Sequence, residues 1–305
     1  MQISAIIKQM TVLFLVLSVG YGANKLRVMS DASNSLLSKI VMNITMPCTI
    51  LSSVMSGEVT MTGNEALFFG LMILCTFVIA FILIIPIPHL IKAPTVDKGL
   101  YRFLIAFGNV GFMGFPVIYS IFGQASVFYV ALFNIPFSII TFSVGIIMVA
   151  GKKGKIDPKL FINPSLIASF AAIMLFALKI KTPVVIAETA DLLGRVTTPA
   201  AMLIIGSTLA SIPVKKVFSQ WRLYPVTLLK LIVVPIITWG VLRLFIRNDL
   251  MLGILVVLSG MPTATAATMI AMEYGGNERL ASTGVFITTL FSVVTIPALV
   301  FLLFT

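Results

Sequence analysis

The chain has 305 residues, of which 59% are hydrophobic and 10% charged, and its formal net charge is +11. Soluble domains carry about 25% charged residues, and the longest polar run, Gly151 to Lys159, is too short for a soluble binding or catalytic domain. The composition is that of a polytopic α-helical membrane protein, with the basic excess read as loop charge that sets topology rather than as a nucleic-acid surface.

A membrane span needs about 20 apolar residues. The pattern predicts ten spans, at Ser4–Gly22, Ser35–Ser56, Glu65–Leu90, Leu100–Phe122, Ala125–Val149, Pro164–Lys179, Ala187–Ser211, Leu223–Phe245, Leu250–Met272 and Leu280–Leu303. Lys8 precedes the first apolar run with no small-residue cleavage site after it, so that run reads as a span rather than a signal peptide. With the N-terminus outside, thirteen of the 21 basic residues fall in cytoplasmic loops or at the span ends beside them: Lys25, Arg27, Lys92, Lys98, Arg102, Lys152, Lys153, Lys155, Lys159, Lys215, Lys216, Arg222 and Arg279. Lys8, Lys179, Lys181, Arg243 and Arg247 fall on the outer side, in loops or at span ends, an asymmetry that supports ten helices with both termini outside.

Residues 1–150 and 160–305 form two halves, joined by a cytoplasmic linker at 151–159. Five spans per half require the halves to be inverted relative to each other. The second span of each half has a Pro followed by small and hydroxyl residues (Pro47 then Ser52-Ser53; Pro199 then Gly206-Ser207-Thr208). The fourth span of each half is interrupted, by Ala106-Phe107-Gly108-Asn109-Val110-Gly111 through Pro116 and by Leu258-Ser259-Gly260-Met261-Pro262-Thr263 through Thr268. Gly costs roughly 1 kcal/mol and Pro about 3 in a helix interior. In lipid, the backbone groups freed by a break must be satisfied by protein or trapped water. Paired interruptions in two halves point to a transporter's binding site.

At such a break the N–H groups that open the new half-helix carry partial positive charge and suit an anion. Asn109 can orient a carboxylate through its amide, or cap the break itself. Gly108, Val110 and Pro262, at the breaks, are candidate substrate-binding residues with Asn109. Thr263, Thr265 and Thr268 offer hydroxyls to a substrate, or bond back to helix carbonyls. Gly108, Gly111 and Gly114, three apart, fit close helix crossing. Asp191 and Arg195 have the spacing of an intrahelical pair, with Arg195 otherwise a candidate for attracting an anion. Glu273 is a candidate coupling group near the inner end of the ninth span. Asn134, beside Pro136, is a candidate polar support behind the fourth span. Lys39 and Lys230 read as snorkelling or pairing residues, and Pro86, Pro88, Pro225, Pro235 and Pro297 as kinks or ends. His89, Cys48 and Cys75 lack metal-ligand spacing.

The stretch Gly108 through Pro116 resembles the Asn-x-x-x-Met-Gly-x-Pro crossover of the auxin efflux carrier family, which includes plant auxin transporters and bacterial malate and malonate permeases. Met261-Pro262 through Ala271-Met272-Glu273-Tyr274 with Ala281-Ser282-Thr283-Gly284-Val285, and Gly194 through Met202 with Gly206-Ser207, resemble its ninth and tenth helices and its seventh. The resemblance implies an all-α, ten-helix, five-plus-five inverted fold with crossed, broken helices 4 and 9. It also implies a scaffold of helices one, two, six and seven and a moving unit made of the rest. It gives Asn109 a substrate contact. Ala266 stands where many bacterial members carry an Asn.

The resulting expectation is a secondary active transporter of small mono- or dicarboxylates, working by elevator-like alternating access in the plasma or bacterial inner membrane. No cofactor and no enzymatic centre are expected. H+ or Na+ is a candidate coupling ion, the partners are the substrate and the lipid bilayer, and a homodimer is left open. A sodium-coupled carrier of larger amphipathic anions and a passive anion channel are the alternatives.

Overall fold

The computed structural model describes residues 3–57, 59, 61–150, 158, 163–211 and 220–304. The expected linker at 151–159, apart from Pro158, and loop residues Lys215 and Lys216 lie outside them. Regular structure among the described residues is helical, apart from one isolated antiparallel bridge between Gly108 and Thr263.

The helices are α1 (Ile3–Lys25), α2 (Asp31–Met55), α3 (Gly63–Ile84), α4 (Lys98–Ala106), α5 (Val110–Phe122), α6 (Ser126–Ala150), α7 (Pro164–Ala177), α8 (Val184–Ser211), α9 (Leu223–Leu242), α10 (Asp249–Ser259), α11 (Ala266–Tyr274) and α12 (Glu278–Phe304). Six are long and apolar enough to cross a membrane among the described residues: α2, α3 with its extension to Leu90, α6, α8, α9 and α12. The helices α5, α7 and α10 are apolar but shorter. The second span starts at Asp31, earlier than the hydropathy pattern places it. Ser30 and Ser33 form a reciprocal capping box there, which builds a polar first turn that an apolar count misses.

Three helices contain a π turn just ahead of a proline: Val41–Thr45 before Pro47, Val110–Gly114 before Pro116, and Leu229–Val233 before Pro235. Proline has no N–H, and its ring crowds the carbonyl four residues back. The turn opens, and the donor just before the proline reaches one residue further back: Val234 N–H bonds Leu229 O, and Met46 N–H bonds Val41 O. A fourth π turn, Thr141–Gly145, has no proline just after it.

Contacts divide the chain into two compact units, each drawing on both halves of the sequence. The boundary passes through α3 and α6 and along the fourth span. The first unit comprises Met1–Gly70, Gly111–Pro136 and Lys159–Ile212. In it α1 packs along the second part of α8. A Cβ at Gly20 would collide with the Leu203 carbonyl, and one at Gly206 with the Leu17 carbonyl, so these helices touch backbone to backbone. Small residues allow such approach in membranes. Gly206→Ala is expected to lower the thermal midpoint of the purified protein by several degrees, consistent with an overpacking cost of about 1–3 kcal/mol.

Buried hydroxyls join α2 to α8 in the same unit. Thr49 lies 2.8 Å from Thr197, Thr197 donates to Thr45 at 2.9 Å, and Thr49 reaches Gly194 O at 2.9 Å. The second unit comprises Leu71–Val110, Phe137–Pro158 and Pro213–Thr305. Its core gathers Phe103 and Phe81 around the fully buried Phe107, with ring centroids 4.7 and 6.1 Å away. Gly284 brings α12 against Leu104, whose side chain would lie 2.8 Å from an added Cβ.

Candidate functional site

In the second unit the two interruptions satisfy each other. Phe107, extended at φ −106° and ψ 117°, ends α4. Its carbonyl accepts from Ala264 N at 3.0 Å, and Asn109 N donates to Pro262 O at 2.7 Å. Gly108 and Thr263 face each other across this two-bond ladder. The groups that a break exposes are therefore paired inside the protein, as a nonaqueous setting demands. An alanine at Gly108 would place its Cβ 3.1 Å from Met261 Cβ and 3.3 Å from Leu258 O, so the missing side chain is what lets the chains cross.

Thr263 is fully buried, and its hydroxyl donates to Leu104 O at 2.6 Å, in the last turn of α4. Its N–H donates to Thr288 Oγ1 of α12 at 3.1 Å. The Thr263 hydroxyl is thus committed to a helix carbonyl. Thr265 is exposed and Thr268 half-buried, around the first turn of α11. Asn109 is 5% exposed, and Gly108, Val110 and Pro262 are buried with it. Each interruption runs directly into the start of a helix, at Val110 and at Ala266.

The residue that sequence reasoning misplaced is Lys230. It neither snorkels nor pairs with a carboxylate among the described residues. It is 1% exposed and sits in the π turn of α9, and its ammonium donates to Ser259 O at 3.2 Å. That carbonyl belongs to the last residue of α10, the negative end of the helix dipole. The same Nζ would lie 3.4 Å from a Cβ on Gly108. An amine thus stands directly beside the crossing. The available signal was the spacing: Lys230 lies five residues before Pro235, as Met42 does before Pro47.

The other candidates lie elsewhere. Asp191 and Arg195 form the expected pair at 2.7 Å, with Gln124 donating to Asp191 at 3.0 Å, all within the first unit. Arg195 is exposed. Asn134 donates to Ser169 of α7 at 3.2 Å, also within the first unit. Glu273 is exposed in the last turn of α11, which Gly275 ends with a left-handed residue at φ 73°. Lys39 is exposed on α2. No cluster of three His, Cys, Asp or Glu side chains able to hold a metal occurs among the described residues.

A family model described as membrane transport protein matches residues 5–300. The chain belongs to this family, the auxin efflux carriers. A protein of Rhizobium meliloti (strain 1021) named as a putative malonate transporter is 28% identical over 240 residues, covering 75% of this chain and 74% of that one. An uncharacterized transporter of Methanocaldococcus jannaschii is 27% identical over 293 residues, 93% of this chain and 94% of its own. Another, from Methanothermobacter thermautotrophicus, is 24% identical over 295 residues, 94% and 95% respectively. The chain is accordingly a multi-pass membrane transporter that takes a small-molecule substrate. In this carrier Ala266 opens α11 with a methyl group, between the exposed Thr265 and the buried Ala267.

Proposed function

We propose that the protein is a secondary active transporter of small mono- and dicarboxylates, working by elevator-like alternating access in the plasma or inner membrane. In this reading ten spans form two inverted halves with both termini outside. The substrate carboxylate binds at Asn109, beside Gly108, Val110, Pro262, Thr263, Thr265 and Thr268. The observation that carries the reading is the closed crossing itself: two helix interruptions locked by a backbone ladder, each opening into a helix start, with a buried ammonium beside them. Helix starts and a cation favour negative charge. A buried ammonium whose described partner is one carbonyl is a costly arrangement that an anion completes. The name of the rhizobial relative makes malonate the first substrate to try.

Asn109 is buried in this conformation, so a substrate reaches it after the protein rearranges, as alternating access requires. Purified protein in liposomes is expected to take up radiolabelled malonate saturably, and faster when the lumen is preloaded with unlabelled malonate. Flux that neither saturates nor accelerates would place the protein among channels and overturn the reading.

A further inference from the structure

We propose that Lys230 is the charge-determining residue of the anion site, acting on the substrate through its field from behind the crossing. The inference rests on the carboxylate-transport reading above. Three observations support it: the side chain is fully buried, its ammonium lies against Gly108, next to Asn109, and no carboxylate neutralises it among the described residues. A lysine that merely fills space would not carry a charge into this core, because a methionine does the same at no desolvation cost. The π turn ahead of Pro235 occurs where the ammonium meets Ser259 O, and π turns recur at functional positions. The interaction energy of an anion in that field scales with the anion's charge. Lys230 therefore favours dianions over monoanions of the same shape.

The test compares malonate with malonamate, its half-amide, in liposomes holding wild type, Lys230→Met and Lys230→Arg. In the methionine variant KM for malonate is expected to rise roughly ten- to hundred-fold. KM for malonamate should rise by about the square root of that factor, since one charge is lost rather than two. Arginine should restore most of the malonate affinity. Equal losses for the two substrates would overturn the proposal, because a merely structural defect does not sense substrate charge. The melting temperature without ligand gives a second, substrate-independent answer. Removing a lysine kept for an anion leaves it unchanged or raises it. A fall of several degrees would assign Lys230 to capping α10 and also overturn the proposal. Wild type that transports neither compound would count against the carboxylate reading, with the ligand-free melting comparison still deciding Lys230.

Discussion

Asn109→Ala is expected to reduce malonate uptake by roughly a hundred-fold while leaving the melting temperature within a few degrees of wild type. The structural half of this expectation follows from the ladder. The hydrogen bond that ties residue 109 to the second interruption uses its backbone N–H and the Pro262 carbonyl, and alanine keeps that donor. Phe107 O, Ala264 N and the Thr263 hydroxyl are likewise untouched. The functional half follows from the amide. A carboxamide can donate to a carboxylate in a site with little competing water, where losing one such bond costs about 1.5–3 kcal/mol. Poorer orientation of the substrate adds to this. Asn109→Asp separates charge from shape: it keeps the volume, places a negative charge opposite an anion, and should be at least as inactive. Uptake by reconstituted protein and a melting curve check both. Undiminished transport by the alanine variant would remove Asn109 from the site.

The helical class and the position of the two interruptions were legible in the sequence, because apolar run length and the clustering of Gly, Asn and Pro each have one dominant physical reading in a membrane. The Asp191–Arg195 pair was legible for the same reason: a spacing of four on a helix places the two groups side by side. What closes the interruptions was not legible. A ladder between Phe107–Asn109 and Pro262–Ala264 joins residues about 155 apart, and no local pattern announces it. Thr263 shows the same limit. Its hydroxyl could as well have faced a substrate until Leu104 O was seen to accept from it. Lys230 was misplaced because a lone lysine in an apolar run ordinarily reaches toward the interface. It is buried inside the π turn just ahead of Pro235, an irregularity that hydropathy cannot register.

Pro235→Ala should therefore act at a distance of five residues. Proline at 235 denies Leu231 O its donor, and the helix meets the loss by letting Val234 N–H reach back to Leu229 O. Alanine supplies the missing N–H and removes the ring, so a regular helix with i to i−4 bonds becomes available. Closing a π turn into an α turn takes out the extra residue and rotates one side of the helix by about 100° relative to the other. Lys230, inside that turn, would leave Ser259 O and Gly108 and present its ammonium to a different face. The Pro235 ring also lies 3.3 Å from a Cβ built on Gly260, so its removal loosens the end of α10, where the Ser259 carbonyl meets the lysine. The expected result is a malonate KM raised about as far as in Lys230→Met, roughly ten-fold or more. The melting temperature should change little, because the regained helix bond offsets the lost packing. A double variant, Pro235→Ala with Lys230→Met, should then transport no worse than either single one, since both remove the same charge from the same place. Additive losses in KM would show that Pro235 serves the crossing by some route other than the placement of Lys230.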